Sequence, residues 1–301
     1  MSVTEIEIRL ICSICLSENV QISNGILAPF FAARALQIMP IQIDNAELTD
    51  IQPGTSYVPA PTIFCNNCSS LTCGLRLGKD SVDRYYKNYQ SDEFLGMRIK
   101  FEPSFSRRLN DRSSPNVIRK RGEAVTYMGL VENVIQKTIG SLPDRILDIG
   151  GGTGANTPFK GRVPGAIFDI DRSLGYSEPQ QDTWPLVTLM NILEHVMNPV
   201  DFLKEAATHV MNPGGYLVVE VPWEPIMRRI CFEESAWRTK LIWTEHVNFF
   251  SKEGVKKCLE LSGLDLIGGI AVIDIETTSV SEAQLQKTMI AVCAPHPVNS
   301  P

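Results

Sequence analysis

The chain has 301 residues, of which 44% are hydrophobic and 21% are charged, as in ordinary globular proteins. This composition excludes a disordered, collagen-like or coiled-coil protein over most of the length. The 28 basic and 34 acidic residues give a net charge of −6, which argues against a general nucleic-acid-binding protein, because such proteins are strongly basic.

The N-terminal part carries no pattern for export or membrane insertion. Residues 1–10 include charged side chains where a signal peptide has an apolar core. The most apolar window, 25–39, is too short to cross a bilayer and contains Arg34. We therefore expect a cytoplasmic protein that makes no contact with membranes.

Two Cys-x-x-Cys pairs lie near the N-terminus, Cys12 with Cys15 and Cys65 with Cys68. Four thiolates presented by two tight turns suit a tetrahedral structural zinc ion. Disulfides are less expected in a cytosolic chain of this length. The long interval between the pairs leaves two alternatives open, which are Cys73 as a substitute ligand and four buried thiols without metal.

The three remaining cysteines, Cys231, Cys258 and Cys293, have no partner at ligand spacing. We expect them to be buried.

The segment 96–122 is the most basic part of the chain, with eight Lys or Arg against Glu102 and Asp111. Such a charge could bind a phosphate group of a substrate, with Arg107 and Arg108 as candidates. A solvated connector between two domains explains the same charge equally well.

From about residue 123, apolar strand-like runs alternate with helical patterns, as a wound α/β domain requires. We predict strands over 145–149, 166–170, 186–190 and 216–221, helices over 124–139, 199–211 and 251–261, and a C-terminal strand pair over 267–275 and 288–294. This division predicts a zinc-binding module with a basic connector over 1–120 and an α/β domain over 121–301.

A glycine loop follows the first of these strands, with Gly150, Gly152 and Gly154 at alternate positions. Glycine allows a sharp turn and a close approach of the backbone to a ligand. Dinucleotide-binding proteins share such loops, but their fingerprint does not need Asp148 at the strand end. Pro158 also requires the next helix to be short or broken.

A second acid follows the next strand, at Asp169 or Asp171. This is the place where a ribose diol is bound in related nucleotide sites.

The segment Leu147-Asp-Ile-Gly-Gly-Gly-Thr-Gly resembles motif one of the class I S-adenosylmethionine-dependent methyltransferases. Segments that begin at Asn191, Met211 and Glu245 resemble later motifs of that superfamily in the expected order, so that the resemblance covers roughly 124–294. It implies an α/β fold, a Rossmann-like seven-stranded methyltransferase sheet. The two cysteine pairs ahead of it resemble the N-terminal module of the sugar C-methyltransferases, which implies a small N-terminal zinc-binding domain.

The resemblance also implies cofactor contacts. Gly150, Gly152 and Gly154 would approach the methionine part of S-adenosylmethionine, with Asp148 near its amino group. Asp171 would bind the ribose hydroxyls, with Asp169 as the competing candidate, and Asn191 would line the methyl-transfer site. Pro185 stands where relatives often have an acid, which leaves the adenine contacts open.

Methyl transfer from a sulfonium chiefly requires positioning of donor and acceptor. A general base is needed when the accepting atom is a hydroxyl oxygen or an acidic carbon. His195 and His246 each follow a glutamate and come after strands whose C-terminal ends should border the ligand crevice. His209 and His296 have no such placement.

Glu245-His246 resembles the Glu-His pair of sugar C-methyltransferases, which implies that His246 is the base and that Glu245 belongs to the catalytic group. This chain has Trp243 where those relatives commonly carry an aromatic hydroxyl. Glu194-His195 is similar to part of the metal-linked Glu-x-x-Glu-His of quinone O-methyltransferases, but Asn191 replaces the first acid.

Together these features predict methyl transfer to a small polar acceptor, a sugar or related metabolite of cell-surface or secondary metabolism that can carry a phosphate. The cofactors are S-adenosylmethionine and a structural zinc ion. Two alternatives remain, an RNA or protein methyltransferase and a zinc-bearing interaction protein on a methyltransferase scaffold. Net acidity disfavours RNA.

Overall fold

The computed structural model describes residues 6–38, 57–89, 91–102, 117–120, 123–154, 156–169, 183–211, 213–276 and 285–296. Asp171, Arg107 and Arg108 lie outside the described residues, as does most of the basic segment.

The described residues of the N-terminal part form short strands and three helices. Its elements are β1 (Ile6–Ile8), β2 (Val20–Ser23), β3 (Ile26–Leu27), α1 (Pro29–Leu36), β4 (Thr62–Cys65), β5 (Leu71–Cys73), β6 (Leu75–Leu77), α2 (Lys79–Tyr86) and α3 (Asp92–Phe101). A two-stranded antiparallel ladder, β7 (Val117–Lys120) with β8 (Glu123–Thr126), connects it to the second part.

The second part contains helices around a larger sheet. Its elements are α4 (Tyr127–Ile139), β9 (Ile146–Ile149), β10 (Gly165–Phe168), β11 (Leu186–Met190), α5 (Pro199–Ala207), β12 (Tyr216–Pro222), α6 (Pro225–Ile230), a 3-10 helix (Glu234–Thr239), β13 (Ile242–Trp243), β14 (Asn248–Phe249), α7 (Lys252–Leu261), β15 (Leu264–Glu276) and β16 (Leu285–Pro295).

The larger sheet has the strand order β10-β9-β11-β12-β16-β15. The first four strands are parallel, and β16 pairs antiparallel with both of its neighbours. The buried strands β9 and β11 are continuous apolar runs interrupted by one polar residue each, as expected for a sheet covered on both faces. The described residues supply six strands of the seven that the resemblance implies.

The predicted elements occur in the predicted order, and the largest differences at their ends have physical causes. The first helix begins at Tyr127 because 123–126 pairs as a strand with 117–120. The helix from Pro199 ends at Ala207, since Val210 forms a bridge with Trp184 instead. The C-terminal hairpin is longer than predicted and carries a bulge between Ile267 and Ile270.

Strands of the second part complete the sheets of the first. Asn248–Phe249 pairs with β5 at the edge of the β14-β5-β4-β2 sheet, and Ile242–Trp243 pairs with β3. The two predicted domains therefore share backbone hydrogen bonds on the chain segment that carries His246. The boundary at residue 120 stays a prediction.

Within the described ranges, no helix combines the length and the apolar character needed to cross a bilayer.

Candidate active site

The glycine loop lies at the C-terminal end of β9, in the left-handed backbone region that favours glycine. The φ angles of Gly150 and Gly152 are +77° and +53°. A Cβ at Gly150 would lie 2.2 Å from Cδ1 of Ile192, whereas one at Gly152 would meet nothing within 4 Å. The loop thus packs against the protein at Gly150 and leaves open space at Gly152, where a ligand can approach the backbone.

Asp148 lies beneath this loop and is 1% exposed. Its two carboxylate oxygens accept hydrogen bonds from Oγ1 of Thr157, at 2.5 Å, and from Oγ1 of Thr188, at 2.8 Å. Burial raises the pKa of Asp148 to about 6, although both threonine hydrogen bonds oppose that shift. In this structure the carboxylate holds the loop, and its expected contact with the cofactor amino group stays a prediction.

Asp169 follows β10 and contacts the loop directly. Its Oδ2 accepts a hydrogen bond from the backbone N–H of Gly152 at 2.8 Å. The structure therefore brings Asp169 to the open side of the glycine loop. Its competitor Asp171 cannot be compared, because it lies outside the described residues.

Asn191 follows β11 and adopts a left-handed conformation with φ of +55°. Its Nδ2 donates to Oε2 of Glu220 at 3.0 Å, and its backbone N–H donates to the carbonyl of Glu220 at the same distance. Thr288 donates to Oε1 of Glu220 at 2.8 Å. Burial raises the pKa of Glu220 to about 7. Sequence analysis missed Glu220, because its only signal is an acid inside an apolar strand.

His195 and His246 are brought together by the fold. Their ring centroids lie 4.6 Å apart with perpendicular planes. His195 follows β11, whereas His246 lies between β13 and β14. The prediction that both histidines border one site is consistent with this placement.

The carboxylate partner of His246 is Glu224, which the sequence analysis did not select. Nδ1 of His246 donates to Oε1 of Glu224 at 2.7 Å, which leaves Nε2 as the nitrogen that can accept a proton. Burial alone would lower the pKa of His246, but the Glu224 hydrogen bond and the nearby carboxylates of Glu194 and Glu245 raise it above its usual value.

Glu245 does not act as the hydrogen-bond partner of the adjacent histidine. Its carboxylate accepts from both terminal nitrogens of Arg98, at 2.9 and 3.1 Å, and from the hydroxyl of Tyr85 at 3.3 Å. Its backbone carbonyl accepts from Nδ1 of His195 at 3.1 Å. Burial opposes ionisation, but Arg98 lowers the pKa of Glu245 to about 2. Arg98 thus links helix α3 to the histidine pair.

Glu194 is 1% exposed, and in the part of the chain that the structure describes its Oε2 has no hydrogen-bond partner. Its Oε1 lies 3.8 Å from Nε2 of His195. Burial raises the pKa of Glu194 to about 7 and lowers the pKa of His195 to about 3, a shift to which His246 contributes. The ligand atoms of Glu194, His195 and His246 lie within 4.8 Å of one another, so the three side chains form one cluster.

The four N-terminal cysteines converge in a buried cluster. Sγ of Cys12 lies 3.7 Å from that of Cys68, and Sγ of Cys15 lies 3.5 Å from that of Cys65. Four sulfurs at about 2.3 Å from zinc form a tetrahedron with edges of about 3.8 Å. The donor set and spacing fit a zinc ion that would join the two knuckles.

The other cysteines take no part in that cluster. Cys73 is buried in β5, and burial raises its pKa to about 11. Cys258 and Cys293 are buried as expected, but Cys231 is exposed. The expectation for Cys231 is wrong because this residue lies beyond the last turn of α6, at the surface.

Residues 119–268, just under half of the chain, match the family model described as a methyltransferase domain. This span contains the glycine loop, Asn191 and the histidine pair. A search of the curated proteins finds no significant match. The parallel sheet, the loop and the family match define this part as a methyltransferase domain. The chain therefore contains a methyltransferase domain.

Solved structures of methyltransferases resemble this chain only distantly. Coclaurine N-methyltransferase bound to N-methylheliamine and S-adenosylhomocysteine is 8% identical, with a TM-score of 0.41 over 60% of this chain and 75% of that one. The citrinin polyketide synthase CMeT domain is 18% identical, with a TM-score of 0.40 over 69% and 59%. An S-adenosylmethionine-dependent methyltransferase from Clostridium acetobutylicum ATCC 824 is 11% identical, with a TM-score of 0.35 over 56% and 89%. TM-scores below 0.5 carry no conclusion about acceptor or mechanism.

Proposed function

We propose that the protein transfers the methyl group of S-adenosylmethionine to a hydroxyl oxygen or acidic carbon of a small polar acceptor, a sugar or related metabolite. The observation that carries this proposal is the Glu224–His246 hydrogen bond beside His195. Methyl transfer to an amine that is already neutral needs no base, whereas a hydroxyl or an acidic carbon must lose a proton. A histidine held by a carboxylate and with Nε2 available supplies that function.

In the proposed reaction the accepting atom bonds to the methyl carbon while the bond from that carbon to sulfur breaks. S-adenosylhomocysteine leaves, and Nε2 of His246 takes the acceptor proton. His195 packs against His246 and would orient the acceptor. Glu245 would act through position, since its carboxylate is engaged by Arg98 and its carbonyl fixes Nδ1 of His195.

We assign the cofactor contacts to the glycine loop. The backbone of Gly150, Gly152 and Gly154 would approach the methionine part, with the open space at Gly152 and with Asp148 beneath the loop. Asp171 and Asp169 are the two candidates for the ribose hydroxyls, and the contact of Asp169 with the loop supports its candidacy. Asn191, held by Glu220, would line the methyl-transfer site.

Three further expectations belong to this proposal. A zinc ion on Cys12, Cys15, Cys65 and Cys68 would be structural. The acceptor can carry a phosphate, which Arg107 and Arg108 would contact. A cytoplasmic location and the lack of nucleic-acid or membrane partners also stay predictions.

The proposal is tested first by calorimetric titration with S-adenosylhomocysteine and then by screening sugar and sugar-phosphate acceptors. With a confirmed acceptor, we expect His246→Asn to lower kcat by about 10²- to 10⁴-fold. The affinity for S-adenosylhomocysteine should not change, because His246 is placed on the acceptor side. Equal kcat in the variant and the wild type would exclude His246 as the base.

A further inference from the structure

A small pocket of about 70 Å³ lies where the first zinc knuckle, strand β6 and the start of helix α5 meet. Its lining includes two arginines, Arg9 and Arg76, together with Ser13, Asn198, Val200 and Asp201. None of these residues has a place in the proposed cofactor or proton-transfer groups.

The buried guanidinium of Arg76 is the main feature of this pocket. The residue is 5% exposed, and its buried Nη2 has no hydrogen-bond partner among the described residues. Nη1 makes one long contact, 3.5 Å, to the carbonyl of Leu75. A buried guanidinium normally has a carboxylate or another anion as its partner, because an uncompensated charge is costly in the protein interior.

Glu7 is the expected ion-pair partner of Arg76, since it lies directly opposite Arg76 in the β1–β6 pair. Its carboxylate is bonded instead to Nε of Arg9, at 2.8 Å. The described residues therefore provide Arg76 with no ion-pair partner within the fold.

The start of helix α5 adds a second attraction for an anion. The first amides of a helix have no partner inside the helix, and the helix dipole is positive at this end. Asn198 occupies the N-cap position but makes no capping hydrogen bond with its side chain. Its Oδ1 accepts instead from Nη1 of Arg9 at 3.4 Å.

We propose that this pocket binds one small oxyanion of the phosphate type. Glu7 already pairs with Arg9, and Asp201 is mostly exposed and lies 3.9 Å from Nζ of Lys204. Arg76 and the helix N-terminus therefore supply the main attraction for an anion. The accessible volume exceeds the roughly 10–15 Å³ that a single water molecule needs, so the pocket has room for a small ion. The ion would tie the N-terminal module to the methyltransferase domain, independently of the proposed function.

The test uses the full-length, zinc-loaded protein, titrated with inorganic phosphate by calorimetry. Thermal unfolding is followed at the same time, with chloride as the control at equal ionic strength. We expect phosphate and sulfate to raise Tm and chloride to have no such effect. Arg76→Met should weaken phosphate binding about tenfold or more, because a hydrogen bond to a charged group is lost.

Two further variants should change the phosphate affinity in opposite directions. Asp201→Asn removes a repelling charge and should tighten phosphate binding, whereas Arg9→Gln should weaken it. Arg229→Met is the matched control, since Arg229 lies on α6, is exposed and pairs with Glu233. This variant should bind phosphate as the wild type does. If Arg76→Met does not fold, the opposite changes in phosphate affinity of the Asp201 and Arg9 variants test the proposal.

The proposal is overturned if phosphate neither binds nor raises Tm, or if the folded Arg76 and Asp201 variants bind it as the wild type does. Titration with a sugar phosphate distinguishes the source of the group. Binding no tighter than that of inorganic phosphate supports a free ion, whereas markedly tighter binding shows that the site takes the phosphate of a larger molecule and overturns the assignment to a free ion. S-adenosylhomocysteine affinity, unchanged in these variants, separates this result from the proposed function.

Discussion

Glu224 accepts a hydrogen bond from Nδ1 of His246 at 2.7 Å, although the two residues are 22 positions apart in the chain. Glu224 follows the central strand β12, and His246 lies between two strands that pair with the N-terminal sheets. The contact therefore depends on the docking of the two parts of the protein. Its consequence is a histidine with a fixed tautomer and a raised pKa.

Replacement of Glu224 by Gln should move the pH dependence of methyl transfer. His246 acts as a base in its neutral form, so the rate rises as pH rises through its pKa. Removal of the carboxylate lowers that pKa, and the acidic limb of the rate profile should move to lower pH. The plateau rate should fall about tenfold or more, because a less basic and less fixed imidazole accepts the proton poorly.

Glu233→Gln is the matched control for this measurement, since Glu233 is an exposed glutamate that pairs with Arg229. Its rate profile should coincide with that of the wild type. An acidic limb that stays in place in Glu224→Gln would show that the titrating group is not His246.

Asp148 should make the stability of the ligand-free protein depend on pH. Its folded pKa of about 6 lies above the ordinary value of 3.8, so the ionised form is disfavoured by folding. The stabilisation from its proton is fully present below about pH 4 and is lost as pH rises through 6. Two units correspond to about 3 kcal/mol.

Asp148→Asn removes this titration. We expect the difference in free energy of unfolding between the variant and the wild type to move in favour of the variant as pH rises from 4 to 7. Urea unfolding at several pH values measures it. A difference that is constant with pH would contradict the raised pKa.

Removal of one partner from the buried pair of Arg98 and Glu245 should lower the free energy of unfolding strongly. Arg98→Met leaves the Glu245 carboxylate without its main partner in a buried site, which typically costs about 3–5 kcal/mol. The double variant with Glu245→Gln should lose less than the sum of the single losses. Urea unfolding of the four proteins gives the coupling, and strict additivity would show that the pair is not energetically linked.

The four-cysteine cluster should bind one zinc ion per chain, which metal analysis of the purified protein measures. Cys65→Ser should lose that ion and destabilise the N-terminal sheets, because Cys65 ends β4 and the metal joins the two knuckles. Cys73→Ser is the control and should keep its zinc, since Cys73 lies outside the cluster. Loss of zinc in the Cys73 variant instead would reassign the ligand.

Sequence periodicity predicted most of the methyltransferase domain. The strands at 146–149, 186–190 and 216–222 are continuous apolar runs because both faces of the sheet are covered, and helix α7 has a clear start at Ser251. The glycine loop was equally visible, because a backbone that turns left-handed at alternate residues restricts the choice of amino acid. These features depend on residues that are close together in the chain, so the sequence is enough to predict them.

The partners of the charged groups could not be read in the same way. Adjacency in the chain suggested that Glu245 belongs with His246, but neighbouring side chains at a strand end point in different directions. Glu245 binds Arg98 instead, and the partner of His246 is Glu224, which follows strand β12. The unpaired Arg76 was likewise invisible, since burial and the lack of a partner depend on everything packed around it.

The sequence by itself indicated the methyltransferase domain, the order of its strands along the chain and the four cysteines of the N-terminal cluster, because each of these rests on short patterns with a local physical cause. Only the tertiary structure decided which carboxylate serves His246, what holds Glu245 and where Asp148 points. Those choices are made by contacts between strands and helices far apart in the chain, where burial removes water and leaves each charge dependent on the group that folding places beside it.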